Sequence, residues 1–126
     1  MGCYDEFGTL PELAKEIGVD PSPETPERCS VEVTGRTVSA IRWGSSKPEA
    51  VFLHGGGQNA HTWDATILAL GRPVLAVDIP GHGHSSWRDD GYDPVAVADD
   101  LAPALEALAP DPVPIVGMSL GGLIGV

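Results

Sequence analysis

The chain has 126 residues, of which 42% are hydrophobic and 20% are charged. This composition is typical of a folded globular chain rather than a disordered one, and the length admits at most one domain. The 18 acidic residues outnumber the 7 basic ones and give a formal net charge of −11. Nucleic acids and anionic membranes would repel such a chain, so neither is a predicted partner.

The chain opens with a predicted short helix and a connector. Thr9 and Glu12 have the spacing of a capping box, and Pro11 stands in the first turn, where proline is tolerated. Gly18 is suited to end this helix. The proline-rich residues 20–26 then predict a stiff connector.

The two cysteines, Cys3 and Cys29, imply no disulfide framework, and no Cys/His spacing is typical of zinc. We therefore predict no metal and no cofactor. The start of the chain has no basic segment followed by an apolar run, and no run reaches membrane-spanning length. A cytoplasmic location is the expectation.

Apolar and alternating runs predict an α/β arrangement of five strands and two long helices. The predicted strands are 29–33, 37–43, 50–53, 73–77 and 113–116, and the predicted helices are 60–70 and 94–108. Pro103 is expected to kink the second helix or split it into two turns. A second short helix, the fourth in the chain, is predicted to begin at Leu120.

Three of the predicted strands end in glycine-rich loops. These loops are residues 54–57 (His-Gly-Gly-Gly), 78–85 (Asp-Ile-Pro-Gly-His-Gly-His-Ser) and 117–122 (Gly-Met-Ser-Leu-Gly-Gly). Loops at the carboxyl ends of parallel strands build α/β active sites. In the third loop the glycines permit a tight strand-to-helix bend that leaves the hydroxyl of Ser119 clear of neighbouring Cβ atoms.

In this order and spacing the three motifs resemble the α/β-hydrolase family, across residues 30–126 and the first five of the family's eight strands. The resemblance implies that Ser119 is the nucleophile and attacks an ester-like carbonyl. It also implies that the backbone N–H groups of Gly56 and Leu120 form the oxyanion hole. The expected substrate is a small molecule with an ester, thioester or similar acyl bond.

In the family the catalytic acid and histidine follow the nucleophile, so the resemblance assigns neither role to a residue of this chain. His54 and His82 belong to the loop-shaping motifs, while His61 is expected at a solvated helix start; His84 is also upstream of the serine. Asp78 is predicted to hold a turn by accepting backbone N–H groups rather than to orient a base.

A dinucleotide-binding fingerprint is an alternative for residues 55–60, which follow a strand and precede a helix, with Asp78 at the distance of a ribose-binding acid. Two preceding β-segments and the serine turn argue against this oxidoreductase hypothesis. The acidic residues Asp89, Asp90 and Asp93 predict a solvated turn rather than a cation site. Trp63 and Trp87 are expected to pack beside the loops.

These observations predict an amino-terminal helix and connector over residues 1–28, and an incomplete α/β-hydrolase domain over residues 29–126 that ends after the serine turn. Its last strand is expected to be an unpaired edge. The leading hypothesis is a serine hydrolase whose acid and histidine lie outside the chain. The competing hypothesis is a catalytically inert fragment or binding module.

Overall fold

A computed structural model describes residues 5–20 and 26–126, so residues 21–25 of the predicted connector lie outside the described part. The strands are β1 (Pro26–Val33), β2 (Arg36–Trp43), β3 (Val51–Leu53), β4 (Val74–Val77) and β5 (Ile115–Gly117). The α-helices are α1 (Leu10–Ile17), α2 (Asp64–Leu70), α3 (Pro94–Leu108) and α4 (Leu120–Gly125). The five predicted strands are therefore confirmed, with shifts of a few residues at their ends.

The strands form one mixed sheet in the order β1-β2-β4-β3-β5. β1 and β2 form an antiparallel hairpin, β2 pairs antiparallel with β4, and β3 runs parallel to both β4 and β5. The chain thus leaves β3 towards β4 on one side and later returns to β5 on the other. The carboxyl end of β3 is a topological switch point, the place where open α/β sheets bind ligands.

Helices cover both faces of the sheet. On one face Val97, Leu101 and Ala104 of α3 and Ile124 of α4 pack against buried side chains of β2, β3 and β4. On the other face α1 and α2 pack against the alternate side chains of the same strands. The two-residue period of the strands produces this division, because successive side chains point to opposite faces.

β5 lies at the edge of the described sheet and pairs with β3 alone. Its apolar side chains are exposed, at 44% for Ile115 and 39% for Val116, as is Leu123 of α4 at 61%. The predicted edge is therefore present in the described structure. Strand edges of this kind offer unpaired N–H and C=O groups to another strand.

Three local predictions are wrong. Thr9 makes no side-chain cap bond, because its backbone is already in the α region and α1 instead follows a turn closed by the bond from the N–H of Leu10 to the carbonyl of Phe7. The predicted helix 60–70 begins with a 3₁₀ turn, Ala60–Trp63, before α2. α3 continues through Pro103, so the predicted split into two turns is wrong, while the predicted kink stays a prediction; Pro103 is exposed, so solvent can reach the carbonyl that loses its partner.

Gly18 ends α1 in a left-handed conformation with φ of 76°, as predicted. α1 then packs against α2, with Leu10 and Ala14 buried in the same core layer as strand residues. β1 already begins at Pro26. The division of the chain into residues 1–28 and 29–126 stays a prediction.

A network of ion pairs attaches the segment before α1 to the rest of the protein. Glu6 accepts hydrogen bonds from Arg28 of β1 at 2.5 Å and contacts His61 Nε2 at 2.8 Å. The other ring nitrogen of His61 lies 2.7 Å from Asp64. His61 is therefore ion-paired with two carboxylates rather than solvated, which corrects the expectation for this histidine.

This ion-pair network makes the free energy of unfolding depend on pH. The hydrogen bond from Arg28 lowers the pKa of Glu6 from 4.5 to about 2. Burial alone would lower the pKa of His61, but the hydrogen bonds to Asp64 and Glu6 outweigh it and raise the pKa above 6.5. The Glu6 contribution is present above about pH 4.5 and is lost as the pH falls towards 2. The His61 contribution is present below about pH 6.5 and is lost as the pH rises through the raised pKa.

The encoded protein here means the 126 residues together with any others that its gene encodes. We expect Glu6→Gln to lower its free energy of unfolding by about 1 kcal/mol. The loss should be greatest between about pH 4.5 and 6.5, where both partners are charged. Thermal melting across pH 3 to 9 measures it. Glu16→Gln, at an exposed position of α1, is the control. A Glu6→Gln melting curve that follows the wild type at every pH would contradict the ion-pair account.

Candidate active site

Three loops meet at the switch point of the sheet. Residues 54–59 follow β3, residues 78–86 follow β4, and residues 118–119 connect β5 to α4. Because β3, β4 and β5 are parallel neighbours, their carboxyl ends lie side by side at one end of the sheet. The three motifs singled out in the sequence are therefore brought together.

Ser119 occupies a strained turn between β5 and α4. Its backbone has φ of 52° and ψ of −112°, a conformation that costs a non-glycine residue about 1–3 kcal/mol. The turn fits because its neighbours are small: a Cβ on Gly121 would lie 2.3 Å from the carbonyl oxygen of Leu53, and one on Gly117 would lie 2.6 Å from Gly121. The side chain of Ser119 is exposed, and no described residue forms a hydrogen bond with its hydroxyl.

The backbone N–H groups of the three consecutive glycines after His54 have different partners. The N–H of Gly55 donates to the side-chain oxygen of Gln58 at 2.8 Å, and the N–H of Gly57 donates to His82 Nε2 at 3.1 Å. The N–H groups of Gly56 and Leu120 have no acceptor among residues 5–20 and 26–126. The structure therefore leaves unpaired the two amides that the sequence analysis singled out.

Gly56 and Leu120 are also close in space. A Cβ built on Gly56 would lie 3.8 Å from the Cδ2 atom of Leu120. Gly56 itself is exposed, while Gly55 is buried beneath it. Two unpaired donors, one from the loop after β3 and one from the first residue of α4, thus lie beside the serine turn, although their assignment as an oxyanion hole stays a prediction.

The ring nitrogens of three histidines are already engaged. His54 is fully buried, and its Nδ1 lies 2.8 Å from the carbonyl of Gly55 while its Nε2 accepts the N–H of Ile79 at 3.0 Å. His82 and His61 also have partners at both nitrogens. Burial lowers the pKa of His54, which keeps this ring neutral. None of these three rings has a nitrogen free to take a proton from Ser119.

Asp78 holds its loop in place, as predicted. This fully buried carboxylate accepts the backbone N–H of Ala60 at 2.8 Å and that of His84 at 3.0 Å, and it pairs with Arg28 at 2.6 Å. Its backbone carbonyl also accepts the hydroxyl of Ser85 at 2.6 Å. Both carboxylate oxygens have partners, so neither is free for a ribose hydroxyl.

We expect Asp78→Asn to destabilise the encoded protein by about 2 kcal/mol, because the amide cannot accept all three donors and leaves Arg28 without its buried partner. Urea unfolding measures the loss. Asp99→Asn, on the exposed face of α3, should unfold like the wild type. Equal unfolding midpoints for Asp78→Asn and the wild type would show that the carboxylate does not support the loop.

The two tryptophans near the loops and the acidic residues 89–93 were also given predictions from the sequence. Trp63 packs on Phe52 with ring centroids 5.0 Å apart, as expected. Trp87 is 78% exposed, so the prediction that it packs beside the loops is wrong. Asp89, Asp90 and Asp93 are exposed at a bend, as the predicted solvated turn requires, and Asp90 also pairs with Arg36 at 2.9 Å and with Arg88 at 3.3 Å.

Comparisons with known proteins agree with this fold. The sequence model of the alpha/beta hydrolase fold family matches residues 51–126, which include all three loops. The chain belongs to the α/β-hydrolase family. Among its relatives in this family, the esterase Rv0045c of Mycobacterium tuberculosis is 56% identical over 124 residues, which cover 97% of this chain and 40% of that protein.

A second α/β-hydrolase relative is a pimeloyl-[acyl-carrier protein] methyl ester esterase of Neisseria meningitidis, 39% identical over 87 residues, or 64% of this chain and 32% of that protein. A solved structure of the M. tuberculosis esterase Rv0045c aligns with a TM-score of 0.84 at 54% identity, over 98% of this chain and 42% of that one. The chain thus spans about two fifths of the Rv0045c length.

The described part contains no helix long and apolar enough to cross a membrane. It also contains no group of three or more His, Cys, Asp or Glu side chains placed to hold a metal ion. The cytoplasmic location stays a prediction.

Proposed function

We propose that the encoded protein is a serine hydrolase that cleaves the acyl bond of a small-molecule ester. The observation that carries this proposal is the exposed Ser119 on a strained turn, next to two unpaired backbone donors at Gly56 and Leu120. A nucleophile and a pair of preorganised donors are what acyl transfer requires. The relatives named as esterases support the same class of reaction.

In this mechanism the hydroxyl of Ser119 attacks the carbonyl carbon and loses its proton to a general base. The carbonyl oxygen becomes an oxyanion that accepts the N–H groups of Gly56 and Leu120. The tetrahedral intermediate then expels the alcohol, which takes the proton back from the base, and leaves an acyl group on Ser119. Water then loses a proton to the base and attacks the acyl carbon. The oxygen of Ser119 leaves, takes the proton from the base, and the carboxylic acid is released.

The general base is proposed to come from outside these 126 residues. The rings of His54, His61 and His82 have their nitrogens engaged, and breaking the bonds of His54 and His82 would release the loops that form the site. The exposed His84 precedes Ser119, whereas the histidine of the family follows the nucleophile. A histidine and its orienting carboxylate from another part of the protein would complete the triad. Esters and thioesters both fit this chemistry, because each presents a carbonyl with a leaving group.

Hydrolysis of p-nitrophenyl acetate and butyrate by the encoded protein tests the proposal. Release of nitrophenolate well above the buffer rate, with saturation by substrate, is the expected result. The competing hypothesis of an inert or binding module predicts no turnover of either ester. The oxidoreductase alternative predicts saturable binding of a nicotinamide dinucleotide, which we do not expect because both oxygens of Asp78 are engaged.

A further inference from the structure

The loop after β3, residues 54–58, is here called the oxyanion loop. It is held mainly by groups from the loop after β4. Asp78 accepts the N–H of Ala60 just beyond the oxyanion loop, and the N–H of Ile79 donates to the ring of His54 within it. His82 adds a third hydrogen bond, by accepting the N–H of Gly57.

We propose that His82 is a positioning residue for the oxyanion hole: its neutral ring binds the N–H of Gly57 and so holds the oxyanion loop in the conformation that leaves the N–H of Gly56 free for the substrate. This inference rests on the proposed function of the site. His82 does not touch the reacting atoms and acts through the backbone of the loop.

The hydrogen bonds define which nitrogen of His82 carries the proton. Nδ1 lies 3.2 Å from the carbonyl of Pro80, which can only accept, so Nδ1 is the protonated nitrogen. Nε2 is then a lone-pair acceptor at 3.1 Å from the Gly57 nitrogen. The contact to Pro80 thereby orients the ring and sets the tautomer that the oxyanion loop needs.

His54 has the same tautomer and the same kinds of partner as His82. Its Nδ1–H donates to Gly55 within the oxyanion loop, and its Nε2 accepts from Ile79 in the loop after β4. The two rings meet edge-on, with centroids 4.9 Å apart. Each loop thus contributes one imidazole whose acceptor nitrogen binds a backbone N–H of the other loop.

The loop that carries His82 is itself firmly attached. Ser85 accepts the N–H of Ser39 in β2 at 2.8 Å, and the N–H of Ser86 donates to the carbonyl of Thr37 at 2.8 Å. A Cβ on Gly83 would overlap the carboxyl of Asp78 at 2.3 Å, so this loop packs without spare room. A rigid loop lets His82 fix the backbone of Gly57 rather than follow its motion.

Gln58 binds the backbone of Gly55 near the start of the oxyanion loop, as His82 binds that of Gly57. Its side-chain oxygen accepts the N–H of Gly55, and its own N–H donates to the carbonyl of Gly55 at 3.2 Å. With the donors of Gly55 and Gly57 both bound, only the middle glycine has an N–H to offer a ligand. Loss of the His82 contact would free a second donor and allow the loop to rotate away from Leu120.

Two variants of His82 separate this role from a general structural one. In His82→Gln the amide oxygen can occupy the place of Nε2 and accept the N–H of Gly57. In His82→Asn the shorter amide corresponds to Nδ1 and cannot reach it. We expect His82→Asn to lower kcat for p-nitrophenyl butyrate at least about tenfold with KM changed less than about twofold, a part of the effect of deleting an oxyanion donor.

His82→Gln should keep kcat within about threefold of the wild type, because the acceptor is restored. His84→Gln is the control, since that side chain is exposed and only its backbone N–H contacts Asp78. Equal losses of kcat in His82→Asn and His82→Gln, or no loss in His82→Asn, would overturn the proposal.

Amide hydrogen exchange in the wild-type protein provides a second test, which needs neither a variant nor an activity assay. The N–H of Gly57 should be protected and that of Gly56 should exchange rapidly. Equal, fast exchange at both glycines would overturn the role of His82 even if esters are hydrolysed. An absence of ester hydrolysis with Gly57 protected would instead contradict the proposed function and leave the hydrogen bond intact.

Discussion

Ser119→Ala should lower kcat/KM of the encoded protein for p-nitrophenyl esters by about 10⁴-fold or more, because no acyl-enzyme can form without the hydroxyl. The substitution removes a group that has no hydrogen-bond partner among the described residues and that points into solvent. The fold should therefore keep its melting temperature. Initial rates at saturating and subsaturating ester measure the change.

Ser46→Ala is the matched control for the nucleophile, because Ser46 is an exposed serine in the loop after β2. It should have the rates of the wild type. Residual activity of Ser119→Ala within about tenfold of the wild type would show that another group attacks the ester. A large fall in melting temperature together with the loss of activity would show that Ser119 has a structural role instead.

Gly121→Ala should destabilise the protein by about 3 kcal/mol, and Gly121→Val should prevent folding. An added Cβ at this position would lie 2.3 Å from the carbonyl oxygen of Leu53 and 2.5 Å from that of His54. Those carbonyls belong to β3 and the loop after it, whose positions are fixed by the sheet, so α4 would have to move away. Urea unfolding and ester hydrolysis should both reveal the change.

Gly122→Ala is the matched control, one residue further along α4. Its Cβ would meet nothing closer than 3.4 Å, at the carbonyl oxygen of Gly117. Alanine is a better helix former than glycine, so this variant should be more stable by about 0.5–1 kcal/mol. Similar unfolding midpoints for Gly121→Ala and Gly122→Ala would contradict the close contact between α4 and β3.

The sequence predicted the features of the fold that depend on local pattern. Apolar runs indicated all five strands, and glycine with proline marked the loops that follow β3, β4 and β5. The α/β-hydrolase resemblance added the family and the roles expected of the three loops, whereas the order of the strands in the sheet was not predicted. The serine turn, including its two close glycines, followed from the spacing of residues 117–121.

Features that depend on distant partners were missed. Arg28 and Asp78 are 50 positions apart, and no local pattern indicates that β1 brings the guanidinium to a buried carboxylate. The same holds for Glu6 and His61, whose contact needs α1 to pack on α2. The prediction for Trp87 was wrong because the exposure of a side chain is set by the tertiary fold.

The central claim is that Ser119 is the nucleophile of an acyl-transfer site. Reaction of the encoded protein with a fluorophosphonate, followed by mass spectrometry of its peptides, tests this claim most directly, because the probe forms a covalent bond with an activated serine hydroxyl. We predict one adduct per chain, located on Ser119 and absent from Ser119→Ala. An adduct on a different residue, or none on a protein that hydrolyses esters, would contradict the account.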